Sequence, residues 1–425
     1  MANKSRLAKS VIVFCILFLN TTLTYANACN SSFNDLMREG LESHPSINVS
    51  KKIMKGADLQ VSSALWGYFP TPSIDLSKSS SNTRINLRID QPIWDGGKID
   101  AVRDKARAWK NEATHIYAKS QYQLIEDYLQ TLEKYLQAQD KISILNGAVN
   151  QLNAIMQTVD RMIDAGELSV ADKNLLSTKI ADIYSILEIT KAEFDAARIQ
   201  FEILTGRKII CNVSFKQKSA FGTSLNVATL VDDALNYSPS LKIINARIEA
   251  AQSDVDAAES KLWPTLKLRG EHRNGALYES DVDKSENLIY FVFEMSTGAG
   301  ASALSNIGRS EINVLKVKNE KLSKEKEVID RLMNNYTRFV AVKNNLEILS
   351  NDVLVAEKVF QSNERLFFLD QKKWVDVVNA LTALNNKKIS KAQLYTEFRI
   401  LELKLALKTN RLSLETGGFL SEVLQ

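Results

Sequence analysis

The sequence predicts a mainly α-helical protein with a small membrane β part. Its architecture is one unit used twice: helix, β-hairpin, long coiled-coil helix, return helix. Three observations carry this. Two pairs of short stretches alternate apolar and polar residues with the period of a strand. Two long stretches step apolar residues by three and four, as a coiled coil does, and a block near the start recurs near the middle. A composition of 425 residues with 24% charged, 45% hydrophobic, 6 Pro and 16 Gly suits long helices and argues against disorder.

Residues 1–28 read as a secretory signal. Lys4, Arg6 and Lys9 precede the apolar run Val11–Leu19, and Ala26-Asn27-Ala28 is a small-x-small cleavage site. The run is too short to span a bilayer as a helix. Without the signal, 51 basic residues face 50 acidic ones, a balance that gives no reason to expect a nucleic-acid partner. Cys15 leaves with the signal, so Cys29 and Cys211 remain in an oxidising compartment. A disulfide between them is allowed, and acylation of Cys29 is the alternative. The mature chain has no run of 18 apolar residues, so any entry into a membrane must be by strands.

The first unit covers residues 29–226. Helical spacing runs from Ser32 to Leu65 with a break at His44-Pro45-Ser46, and Trp66-Gly67-Tyr68-Phe69-Pro70 ends it. A hairpin follows, with strands at about 71–79 and 83–93. In Arg84-Ile85-Asn86-Leu87-Arg88-Ile89-Asp90 the isoleucines and leucine share one face and the charges the other. A membrane barrel needs that division, lipid outside and water inside. Trp66, Tyr68, Phe69, Trp94 and, later, Trp263 are candidate membrane-interface aromatics. After Gln91-Pro92-Ile93-Trp94-Asp95-Gly96-Gly97 a proline-free heptad pattern spans about 98–164. Ala165–Ser169 breaks it, and a return helix spans 170–205 before the irregular segment 206–226.

The second unit covers 227–412 and leaves a tail, 413–425. Leu230–Ser240 echoes Leu36–Ser46, and Trp263-Pro264-Thr265 echoes Phe69-Pro70-Thr71. Pro45 to Pro239 and Pro70 to Pro264 are the same offset, 194 residues. Strands are expected at about 265–273 and 287–296, a long helix at about 306–368, a turn at 369–374 and a return helix at 375–407. Leu266, Leu268, Phe291 and Phe293 should join Ile85, Leu87 and Ile89 on a lipid-facing side.

Enzyme chemistry finds little support. His44, His115 and His272 stand alone, without ligand spacing or a neighbouring nucleophile. Gly298-x-Gly300-x-x-Ala303 follows a strand, but that strand alternates and no βαβ unit follows, so a nucleotide site is not expected. No cofactor and no metal are expected.

The double unit, together with Gln91–Gly97, resembles the TolC family of outer-membrane channels of Gram-negative bacteria. Arg365-Leu366-Phe367-Phe368-Leu369-Asp370-Gln371-Lys372-Lys373-Trp374-Val375-Asp376-Val377-Val378-Asn379-Ala380 is similar to the family's periplasmic-tip signature, and its Lys-Lys-Trp-Val-Asp-Val form is closest to type I secretion members. The resemblance implies a homotrimer with four strands per chain in one twelve-stranded barrel, above a helical tunnel across the periplasm. It implies a periplasmic adaptor and an inner-membrane ABC transporter as partners, with a large exported protein (adhesin or toxin) as cargo. Small-molecule efflux is the alternative, and a soluble periplasmic coiled-coil scaffold is a remote one. Carried over residue by residue, it assigns the entrance constriction to Asp376 and Asn379, the equivalent acid of the first unit to Asp172, a tip-tying cation to Lys372 and a tyrosine position to Phe367. The second unit departs from the pattern, with Met295-Ser296-Thr297-Gly298-Ala299-Gly300 where a second Gln-Pro-Ile-Trp-Asp-Gly-Gly is expected.

Overall fold

The computed structural model describes residues 33–78, 83–209, 213, 226–275, 285–296 and 298–412. The signal, Cys29, Cys211, the tail and most of the segment 206–226 lie outside the described residues.

Two short helices open the chain, α1 (Phe33–Ser43) and α2 (Pro45–Trp66). They break where His44 caps α2: its ring nitrogen accepts from the Ser46 N–H at 3.3 Å, and Pro45 takes the first helical position, where no N–H is needed. Strands β1 (Thr71–Lys78) and β2 (Thr83–Trp94) follow, then α3 (Lys98–Asp164) and α4 (Val170–Thr205). The second half runs α5 (Val227–Tyr237), α6 (Pro239–Glu259), β3 (Thr265–Asn274), β4 (Glu286–Glu294), α7 (Ser302–Phe368) and α8 (Trp374–Lys408). Helices α3 and α7 have 67 residues each, about 100 Å at ~1.5 Å per residue.

The strands form one antiparallel sheet in the order β1-β2-β3-β4, so the two hairpins lie side by side. The adjoining helices pack in the same order, α2-α3-α6-α7. Farther from the sheet the row becomes α4-α3-α8-α7. Sheet and helical rows are therefore open at both edges, one edge from the first repeat and one from the second.

Among the described residues three larger cores hold the rows together, and a small fourth joins Ala251 and Val255 of α6 to Val314 of α7. Midway, α1 packs on α3 and α4 through an aromatic cluster, with Phe33 and Tyr128 edge to face at 6.4 Å and Tyr135 and Phe201 at 5.7 Å. The second repeat packs Leu230 and Ala234 of α5 on Leu332, Phe339, Leu401 and Leu405 of α7 and α8. The third core lies at the tips, far from the sheet.

The junctions between sheet and long helix differ between repeats. In the first, Asp95 accepts from the N–H of Gly97 at 3.1 Å and of Ile99 at 2.8 Å, capping α3. Gly96 and Gly97 both have positive φ, and a Cβ on Gly96 would strike Trp263 and the Ser260 carbonyl. The second junction has a short 3₁₀ turn, Ala299–Ala301, and no side chain caps α7. That helix starts at Ser302, four residues before the sequence-based position, because the small residues Ser302 and Ala303 fit a helix without contributing to an apolar pattern.

Candidate functional site

The sheet separates its two faces by chemistry. On one face Ile74, Leu76, Ile85, Leu87, Ile89, Ile289, Phe291 and Phe293 are all exposed, with Ile289 at 81%. Leu266 and Leu268 lie among them, half-buried between β2 and β4. Apolar residues left this open in a single chain mark a surface to be covered by a partner protein or a membrane. The face is incomplete on β3, where Gly270 and His272 follow; His272 Nδ1 lies 2.7 Å from the Asn287 amide oxygen.

The opposite face is a lattice of paired charges. Glu271 is its hub, with 5% exposure. Its carboxylate accepts from Asn86 Nδ2 at 2.6 Å, the Tyr290 hydroxyl at 2.8 Å and Arg273 at 2.9 Å, and Arg88 lies 3.7 Å away. Arg88 also reaches Asp75 on β1 at 3.9 Å, so this one group of residues spans all four strands. Arg269 holds Asp90 through a bidentate pair at 2.6 and 2.9 Å, and Lys267 meets Glu294 at 3.2 Å.

The aromatics singled out in the sequence gather where sheet meets helices. Trp94 and Trp263 meet edge to face at 6.2 Å, Trp66 and Phe69 lie tilted at 5.2 Å, and all four are largely exposed. Tyr68 differs: its hydroxyl donates to Asp100 at 2.6 Å and accepts from Arg103 at 2.9 Å, fastening the hairpin to the start of α3.

At the far end the two tips are built alike. Glu167 N–H reaches back to Met162 O at 2.8 Å and Gln371 N–H to Leu366 O at 2.9 Å, around left-handed Gly166 and Asp370. Asp172 and Asp376 then occupy the same position, third in the return helices α4 and α8. Their surroundings separate them. Ser169 caps α4 and forms a reciprocal box with Asp172, at 2.7 Å between hydroxyl and carboxylate; Trp374 Nε1 donates to the other oxygen at 3.1 Å. The Ser169 hydroxyl first, then the Trp374 indole, hold the Asp172 carboxyl below the usual carboxylate range. The cap of α8 is Lys373, whose side chain offers no such bond. Asp376 instead lies 3.9 Å from Lys372, both side chains near half exposure, with Asn379 exposed one turn on.

Two sequence expectations change here. Phe367 does not line an entrance: it is 3% exposed and packs with Trp374, Val377, Phe360 and Leu176 in the tip core, because it has no hydroxyl to draw it to water. Asp172 is as exposed as Asp376 and equally charged, but its oxygens serve the cap and the indole, so the two acids are not equivalent. Sequence reading passed over Trp374 and Glu271. The Ser169-x-x-Asp172 spacing signalled the box; nothing local signalled that Trp374 would complete it.

No protein-family model matches the chain, nor does any curated protein. Solved structures do match. The chain aligns with CusC at a TM-score of 0.77 and 12% identity, over 91% of this chain and 95% of that one. With the outer-membrane protein VceC of Vibrio cholerae the TM-score is 0.76 and the identity 15%, over 89% and 95%. With the CmeC outer-membrane channel of Campylobacter jejuni it is 0.73 and 12%, over 95% and 94%. The fold is that of the TolC-like outer-membrane channels. No described helix is long and apolar enough to cross a membrane, which leaves the strands untouched by that test.

Proposed function

We propose that three copies of this chain close into one twelve-stranded barrel in the outer membrane, continued by a helical tunnel into the periplasm. The observation that carries this is a four-stranded sheet, apolar on one face and charged on the other, with both edges unpaired among the described residues. Four strands cannot close on themselves, and an open edge in hydrocarbon leaves backbone groups without partners. The edges β1 and β4 are different surfaces, so pairing is head to tail, and a head-to-tail contact that closes gives a ring. The helical rows carry the same pair of unlike edges, α2 and α4 against α7.

The assembly serves as the outer-membrane channel of a tripartite export system, with a periplasmic adaptor and an inner-membrane ABC transporter. Asp376 and Asn379 narrow the tunnel entrance, and Lys372 restrains it. Asp172 and Phe367 act from behind, holding the tip that presents them. The Lys372-Lys373-Trp374-Val375-Asp376-Val377 turn favours type I secretion of a large protein over small-molecule efflux. Deletion of the gene in its own bacterium tests this. A large protein should vanish from the medium and return when the gene is restored. Unchanged secretion with raised accumulation of small toxic compounds would replace secretion by efflux. Absence of the chain from purified outer membranes would remove the channel reading itself.

A further inference from the structure

The three strand pairings inside the chain constrain how its two edge strands can meet each other. Thr71 lies opposite Asp90, Asp90 opposite Arg269 and Arg269 opposite Tyr290, so a line straight across the sheet runs from Thr71 to Tyr290. In a closed barrel that line returns to β1 of the next copy some residues farther along. This stagger, summed round the ring, is the shear that fixes strand tilt. Side chains alternate faces, so an odd stagger would set the apolar residues of one edge beside the wet face of the other. Only even staggers keep Ile74 and Leu76 on the side of Ile289, Phe291 and Phe293.

We propose that β4 of one copy pairs with β1 of the next with Tyr290 opposite Asp75, a stagger of four residues from Thr71. The proposal rests on the barrel reading above and specifies how the copies join. At this register every residue of β1 finds a partner in β4, from Lys78 opposite Asn287 to Thr71 opposite Glu294. Like meets like on the apolar face. Ile74 lies beside Phe291, Leu76 beside Ile289, and the polar Lys78 beside Asn287 at the end away from the helices. Three copies then give a shear equal to the number of strands. Eight-stranded barrels with that ratio tilt at about 36°, and the same ratio gives the same tilt here, inside the roughly 35–45° of outer-membrane barrels. A stagger of two sets Leu76 against Asn287 and flattens the strands to about 20°. A stagger of six sets Lys78 against Ile289 and carries Thr71 and Pro72 past Glu294, the last residue of β4.

The test is cross-linking of paired cysteines in outer membranes, with copper phenanthroline as oxidant and non-reducing electrophoresis as readout. Directly opposite residues have Cβ atoms about 4.5–5.5 Å apart and diagonal ones about 7–8 Å, and a disulfide needs the shorter separation. Ser73→Cys with Val292→Cys, opposite at a stagger of four, should turn most of the chain into covalent dimers and trimers, while neither single variant should. Thr71→Cys with Val292→Cys reports a stagger of two, and Ser73→Cys with Glu294→Cys a stagger of six. Both should link several-fold less. If the first pair fails to assemble, Ser77→Cys with Leu288→Cys, also on the wet face, decides in its place. Stronger linking by either slipped pair would overturn the register and leave the barrel standing. Outer-membrane trimers that no pair links would overturn the register and the barrel together.

Discussion

The indole N–H of Trp374 donates a 3.1 Å hydrogen bond to the carboxylate of Asp172, joining the two tips of one chain across 202 positions of sequence. Trp374 is 3% exposed and sits in a core shared by both repeats, with Leu152, Val159 and Leu176 from one and Phe360, Val377 and Leu381 from the other. The bond therefore lies at the rim of an apolar contact that already holds the tips side by side. Trp374→Phe keeps the ring and removes the donor. Trimer yield should be unchanged, while resting conductance in planar bilayers rises severalfold; conductance equal to wild type would mean that the apolar core alone holds the tips.

Acidity should break the same contact. The Asp172 carboxyl is held below its ordinary value of about 3.9, so its contribution is present above that pH and is lost as pH falls through the lowered value. Resting conductance should stay flat from pH 7 to about 4 and then rise. In Asp172→Asn that acid step should disappear. A step that persists in this variant belongs to another group.

The two faces of β2 should answer differently to charge. Leu87 is exposed on the apolar face, where an arginine costs ~2–4 kcal/mol near mid-membrane. Leu87→Arg should cut assembled trimer in the outer membrane sharply. Arg88→Leu removes two ion pairs on the wet face but leaves Glu271 with Arg273, Asn86 and Tyr290, so it should cut assembly far less. Equal trimer levels would remove the orientation of the sheet.

Midway down the helices, a methyl group on Gly40 would overlap the hydroxyl of Tyr128, which is fully buried and has no hydrogen-bond partner among the described residues. Gly40→Ala should destabilise by ~1–3 kcal/mol, the usual range for overpacking. Tyr128→Phe removes an unsatisfied polar atom and should be neutral or stabilising. The double variant should recover most of the loss in thermal unfolding of the detergent-solubilised protein. Strict additivity of the two changes would show that the clash is relieved elsewhere.

At the entrance, Asp376→Ala should weaken block by divalent cations, because three copies of an acid near one axis attract them. Asp172→Ala should weaken block less than Asp376→Ala does, because its carboxylate is turned toward Ser169 and Trp374. Lys372→Ala should raise resting conductance modestly, since half-exposed pairs such as Lys372–Asp376 contribute only ~0.2–1 kcal/mol. Equal loss of block in Asp172→Ala and Asp376→Ala would return both acids to the entrance.

Much of this was legible in the order of residues, because the physics involved is local. Period-two alternation at Ile85, Leu87 and Ile89 marks a strand between two unlike media. The unbroken heptad stepping between Lys98 and Asp164 marks one helix, and left-handed Gly166 marks its turn. Apolar and proline positions repeated 194 residues apart mark the duplication. What the sequence could not supply is which distant residues meet. Asp172 and Asp376 hold the same position in two alike tips, yet packing α3 against α8 brings the Trp374 indole to one and leaves the other beside Lys372. Pairing β2 with β3 likewise turns Glu271, on the wet face of its own strand by pattern, into the partner of Arg88 and Asn86. A hydrogen bond or ion pair acts over a few ångströms, so only the folded chain decides which acid is taken up and which is left open to water.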